Sequence, residues 1–160
     1  MKEVMDDKEF VRLIEENKNQ MYRLALSIMK NEFDAEDVMS DTVIKAYENK
    51  GAIRDVTRFK SWIMTILSNE AKTFLRKKSR VILTDDLEPA GMAHDVQKEK
   101  DYELWDVVMN MDEKYSKIVV LYYYLRFSVK EIGKILHLSQ GAVKTRLARA
   151  REELRKELKP

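Results

Sequence analysis

Phe127-Ser128-Val129-Lys130-Glu131-Ile132-Gly133-Lys134-Ile135-Leu136-His137-Leu138-Ser139-Gln140-Gly141-Ala142-Val143-Lys144-Thr145-Arg146-Leu147-Ala148-Arg149 reads as two short helices and the turn between them. Ser128 and Glu131 have the spacing of a capping box, in which serine and glutamate each satisfy the other's free backbone N–H. Ser139 offers the same kind of start to the second helix. Ile132, Leu136, Leu138, Val143 and Leu147 recur so as to share one buried seam, and Gly133 allows a close crossing. His137 occupies the turn position that favours glycine, a place histidine tolerates better than most residues. Two helices joined by a turn of about three or four residues form a helix-turn-helix, whose second helix lies in a major groove. Its outward positions are Lys144, Thr145, Arg146, Ala148, Arg149 and Arg151. Cations there bind phosphates or guanine edges, and a small residue such as Ala148 can touch a thymine methyl. The competing reading is an α-hairpin with a solvated basic face; the caps, the small residue at the crossing and the local charge together favour DNA binding.

Working outward, charge is sorted along the chain. The total is only +2 over 160 residues, but residues 1–80 carry 16 basic and 14 acidic side chains, residues 81–113 carry 2 and 10, and residues 114–160 carry 12 and 4. A basic end in an otherwise balanced protein points to a polyanion or an acidic partner. The acidic stretch around Leu83-Thr84-Asp85-Asp86-Leu87-Glu88-Pro89-Ala90-Gly91 has Pro, Gly and no periodicity, the features of a linker.

The remaining periodicity is helical. Phe10, Leu13, Ile14, Met21, Leu24, Ala25 and Ile28 predict a helix from about Asp7 to Met29. A second is expected to start at a cap on Asp34, with a staple between Phe33 and Val38, and to end at Gly51. Phe59 to Leu75 predict a third, long helix entering the basic run Arg76 to Arg80. Leu104 to Met111 and Tyr115 to Leu125 mark a fourth and fifth. The expected fold is therefore all-α: a helical domain over residues 1–80, a flexible acidic linker over 81–100, and a helix-turn-helix domain over 101–160.

Two clusters in the first half carry possible chemistry. Asp37 and Asp41 are i,i+4 neighbours on an acidic helix, and no His or Cys accompanies them, since His94 and His137 lie elsewhere and the chain has no cysteine. They read equally as a solvated face or as a dock for a partner's arginines. Trp62, Phe59 and Phe74 share the third helix with Lys60, Asn69, Lys72 and Thr73; aromatics at this spacing are core, although aromatic plus basic is also what single-stranded DNA binding uses. Tyr122-Tyr123-Tyr124 reads mainly as packing. We expect no catalytic residue, metal, cofactor or small-molecule substrate, hence no enzyme. The longest apolar run, Ile118 to Leu125, is too short to span a bilayer, and the acidic start Met1 to Asp7 lacks a signal segment, so the expected location is cytoplasmic.

Asp34-Ala35-Glu36-Asp37-Val38 with Thr42 to Tyr47, then Phe59-Lys60-Ser61-Trp62-Ile63 leading to Asn69 and Arg76, then the helix-turn-helix, together resemble bacterial sigma factors of the extracytoplasmic-function group, over about residues 6 to 158. The resemblance implies a promoter-specificity subunit that binds core RNA polymerase and directs initiation on promoter DNA, often held by an anti-sigma factor. It implies that Asp34, Asp37, Ser40 and Asp41 meet the polymerase, and that Asn49 to Thr57 captures a flipped base. Trp62, Asn69, Lys72, Thr73, Arg76, Lys77, Lys78 and Arg80 would serve the minus-ten element. Lys144, Thr145, Ala148 and Arg149 would read the minus-thirty-five element, with Tyr122 and Arg146 on its backbone. The chain departs from the family pattern at Ser40, Thr73 and Arg126, where Gln, an acidic residue or Asn, and Gly are common. The alternatives are a helix-turn-helix regulator acting without polymerase and a helical protein-interaction adaptor.

Overall fold

The computed structural model describes residues 5–84 and 102–158, and among these every regular element is helical. Helix α1 spans Asp7–Met29, α2 Glu32–Glu48, α3 Phe59–Thr84, α4 Tyr102–Asn110, α5 Glu113–Val119, α6 Val129–Leu136 and α7 Gln140–Glu157; single 3-10 turns at Lys50–Ala52 and Val56–Arg58 join α2 to α3. Helix α5 continues into a π-helical turn, Val120–Tyr124. The all-α expectation holds, with one helical unit on each side of residues 85–101. Helix α3 runs through Thr84, past the expected end of the first domain, and the rest of the linker lies outside the described residues.

Local chemistry sets most helix ends. Asp6 caps α1 by accepting from the Glu9 N–H at 2.8 Å. Lys30 closes that helix in the left-handed region, φ 66°, with its N–H on the Leu26 carbonyl. The predicted start of α2 is corrected: Asn31, not Asp34, is the cap, accepting from the Asp34 N–H at 2.9 Å. Phe33 is consequently inside the helix and 62% exposed rather than stapled to Val38. The predicted end is corrected too: α2 stops at Glu48, and Gly51 sits in the following 3-10 turn without positive φ.

The first unit packs Phe10, Leu13, Met21 and Leu24 of α1 against Ala35, Val38 and Ala46 of α2 and Phe59, Ile63, Leu67 and Ala71 of α3. Small residues along α2 let its backbone come close. In the second unit Trp105, Val108, Ile118, Leu121, Leu125, Ile132, Ile135, Val143 and Leu147 form the core. The units also pack on each other, α1 against α5 and α3 against α6. That explains why every residue from Leu24 to Met29 is buried, where an amphipathic helix on one layer would bury only a stripe.

Both serine caps of the helix-turn-helix are present, Ser128 in a reciprocal box with Glu131 and Ser139 accepting from the Ala142 N–H. His137 takes φ 58°, as its position demands, and Arg126 takes φ 65°. Gly133 is required by the turn more than by the second helix: a Cβ there would lie 2.7 Å from the Leu138 carbonyl oxygen and 4.0 Å from Val143 Cγ2. Gly133→Ala should destabilise the chain by about 1 to 3 kcal/mol, the usual range for overpacking. Urea unfolding followed by circular dichroism checks this, and an unchanged midpoint would show that the turn yields freely.

Candidate nucleic-acid interface

Helix α7 presents the first part of the interface. Val143, Leu147 and Ala150 are buried against the second unit's core, which leaves Lys144, Thr145, Ala148 and Arg149 exposed on the opposite face. Arg146 and Arg151 are half-buried on its flanks. Thr145 donates its hydroxyl to the Gly141 carbonyl at 3.0 Å, so its remaining offer to a ligand is a lone pair and a methyl. Arg151 is held by the π turn: its Nε donates to the Tyr123 hydroxyl at 2.6 Å, and its guanidinium lies 5.6 and 5.8 Å from the Tyr122 and Tyr123 rings. Tyr122 is half-buried, edge-on to Tyr123 at 4.9 Å, and thus part of this staple.

Helix α3 supplies the second part. Asn69, Lys72, Arg76, Lys77 and Arg80 are exposed, Thr73 is half-buried, and Arg76 Nη2 lies 3.5 Å from Thr73 Oγ1. Trp62 is half-buried and tilts against the buried Phe59 at 5.7 Å. Two residues expected in different groups meet. Lys78 Nζ reaches Asp34 Oδ2 at 2.5 Å, with both side chains largely covered, tying α3 to the start of α2. Asp37, Ser40 and Asp41 remain exposed along α2, with the exposed apolar Phe33 and Ile44 on the same helix.

The connection between α2 and α3 is an ordered turn anchored by buried Ile53. Asp55 accepts from the Thr57 N–H at 3.0 Å and from its hydroxyl at 2.6 Å, bonds that hold its carboxyl below the usual range. Lys50 fastens the turn to the start of α1, donating to Asp7 at 2.8 Å and to the Met5 carbonyl at 3.0 Å. A shallow cavity of about 460 Å³ opens here, lined by residues including Glu9, Arg12, Ile53, Arg54 and Val56. No group of metal-ligating side chains occurs among the described residues, and no described helix is long and apolar enough to cross a membrane.

Sequence reasoning missed that Asn69 is engaged by the other unit: His137 Nε2 lies 3.2 Å from Asn69 Oδ1. No periodicity or motif signals a contact across 68 residues. It also assigned Lys78 to phosphate, where the Asp34 partner now competes for it. A double-mutant cycle over Asp34→Asn and Lys78→Met should return a stability coupling of about 1 kcal/mol, the upper range for partly exposed pairs. Additive effects would mean that the two side chains act separately.

Both halves match family models, residues 13–81 that of sigma-70 region 2 and residues 102–154 that of sigma-70 region 4. The chain is 31% identical to RNA polymerase sigma factor SigV of Bacillus subtilis, with 92% of this chain and 90% of that protein covered. It is 28% identical to the ECF RNA polymerase sigma factor SigW of the same organism, over 96% and 91%. Among solved structures, the sigma factor RpoE in complex with the anti-sigma factor NepR from Bartonella quintana superposes with a TM-score of 0.82 at 24% identity, over 95% of this chain and 98% of that one. On this evidence the chain belongs to the extracytoplasmic-function group of the sigma-70 family.

Proposed function

We propose that this sigma factor binds core RNA polymerase and directs initiation by reading minus-thirty-five duplex with α7 and melted minus-ten DNA with α3. The observation that supports this most is the exposed row Lys144, Thr145, Ala148 and Arg149 on a helix whose other face is fully packed. A side chain on a rigid helix reaches base edges at fixed spacing, which loops deliver poorly. Arg146 and Tyr122 flank that row as contacts to the DNA backbone. On α3, Asn69, Lys72, Thr73, Arg76, Lys77 and Arg80 line one course for a single strand, with Trp62 partly exposed at its start and Lys78 shared with Asp34. The turn over Asn49 to Thr57 and its cavity are where a flipped base would lodge. Asp37, Ser40 and Asp41 give the polymerase an acidic surface, with Asp34 at its edge. Matches across both halves favour this reading over a regulator that acts without polymerase and over an adaptor.

Opening DNA costs roughly 1.4 kcal/mol per base-pair step. Holding an extruded base in a protein pocket offsets part of that cost. The chain's role is thus binding, with no bond made or broken by its own side chains. An anti-sigma factor is part of the same proposal, supported by the Bartonella relative solved with one.

Run-off transcription with core polymerase and a promoter library tests the reading: initiation should depend on this chain and select a defined upstream element. Lys144→Ala and Arg149→Ala should each weaken use of that element by about 1 to 3 kcal/mol if they pair bidentately with bases. Equal transcription by the variants from selected and scrambled elements would remove base readout by α7.

A further inference from the structure

The two units meet across a seam bridged by several side-chain hydrogen bonds. Lys30, at the end of α1, donates to the Met109 carbonyl at 2.9 Å, to the Ser116 hydroxyl at 2.9 Å and, more weakly, to the Val108 carbonyl at 3.4 Å. Ser116 passes the chain on, donating to the Ser27 carbonyl at 2.7 Å. Carbonyls in the last turn of a helix have no partner within it, and the helix dipole favours a cation there. Helix α4 has no basic residue in its own last turn; Lys30 supplies that cation from the other unit. Lys60 does the same for the turn before α6, donating to the Leu125 carbonyl at 2.8 Å with its ammonium 5.1 Å from the Phe127 ring. Arg23 lies over the rings of Trp105 and Tyr124 at 5.1 and 4.9 Å.

The seam treats the two reading surfaces differently. The exposed face of α7 is left open, whereas Asn69 is taken up by His137 in the turn of the helix-turn-helix. We propose that Lys30 is a latch that holds the free chain closed, and that capture of the minus-ten strand by Asn69 requires this latch to release. The proposal rests on the promoter-reading function above. The Val108 carbonyl also accepts from the Met111 N–H at 3.1 Å, so loss of Lys30 bears chiefly on the part-buried Met109 carbonyl; a covered acceptor left without its donor costs more than the bond itself contributes, and the balance shifts toward the open form.

The latch is also linked to protons. Burial pushes the Lys30 ammonium down from its usual range to about 8, only partly opposed by Glu113 and Asp112 at the start of α5, with Lys117 on that helix paired to Glu113 at 3.1 Å. Opening returns Lys30 to water, where a lysine holds its proton to about 10.4. Between these values the open form binds more protons than the closed one. Desolvation of the ammonium thus offsets part of what its hydrogen bonds contribute; that cost falls as pH rises from about 8 to about 10.4, where the neutral amine keeps two N–H donors for the Met109 carbonyl and the Ser116 hydroxyl, and closure is independent of Lys30 titration below that window.

The chain has no cysteine, so Glu15→Cys and Glu153→Cys, both on exposed surface, place spin labels on the two units of the full-length protein. Double electron–electron resonance should give one narrow distance, a longer and broader distribution in Lys30→Met, and a similar but smaller change in Lys60→Met. The open fraction of Lys30→Met should rise roughly tenfold, the scale of a lost buried acceptor. Circular dichroism confirms that the variants keep their helices. Lys30→Met should also bind the minus-ten strand selected by transcription several-fold more tightly than the parent. Distance distributions that coincide for the parent and Lys30→Met overturn the latch, as does unchanged strand affinity when the distributions separate. If they separate but no strand is bound by either protein and Asn69→Ala transcribes normally, the promoter-reading function of α3 is what fails, and the strand-exclusion role falls with it.

Discussion

A single ammonium group, Lys30 Nζ, closes the end of a helix to which it does not belong. Buried carbonyls need donors, and the last turn of a helix has none to give itself. Helix α4 is short, its terminal carbonyls face the first unit, and the donor comes from there. The same lysine ends α1 with positive φ, so one residue stops one helix and caps another. Ser116 joins the two by accepting from Lys30 and donating to Ser27. With these bonds in place, α5 covers the far side of α1, Arg23 stacks over Trp105, and Lys60 seats at Leu125.

This arrangement assigns different tasks to cations that look alike in composition. Lys144 and Arg149 stand exposed on a packed helix, where they can contact DNA. Lys78 pairs with Asp34, Lys50 with Asp7, and Arg151 lies against two tyrosines. Lys30 and Lys60 serve the seam. The basic excess of the C-terminal segment thus points to a polyanion, yet only side-chain geometry separates exposed cations from fasteners.

Local signals were legible wherever one residue's short-range chemistry had no rival. Ser128 with Glu131, Ser139, and the positive φ of His137 follow from spacing alone, and the heptad-like apolar steps of α1, α3 and α7 give the buried faces. The start of α2 is ambiguous in the sequence because Asn31 and Asp34 are both good caps three residues apart. The structure uses the amide as cap and the carboxylate as a partner for Lys78, a choice made by the distant lysine. Gly51 has the chemistry of a helix stop, yet the ladder already ends at Asn49, whose amide Nδ2 donates to the Lys45 carbonyl at 2.9 Å. The π turn at Val120–Tyr124 leaves no mark in a tyrosine run that fits an ordinary helix equally well.

The sequence by itself determined the all-α class, the two helical units, the helix-turn-helix with its outward row, and the family that these imply. Each depends on interactions within about four residues, or on which side of a helix is apolar, and both are written in spacing. Only the tertiary structure decided that Asn69 meets His137, that Lys78 turns to Asp34, and that Leu24 to Met29 is covered on all sides. Those contacts join residues tens of positions apart, and a hydrogen bond of that kind depends on where two backbones come to rest, which no local pattern encodes.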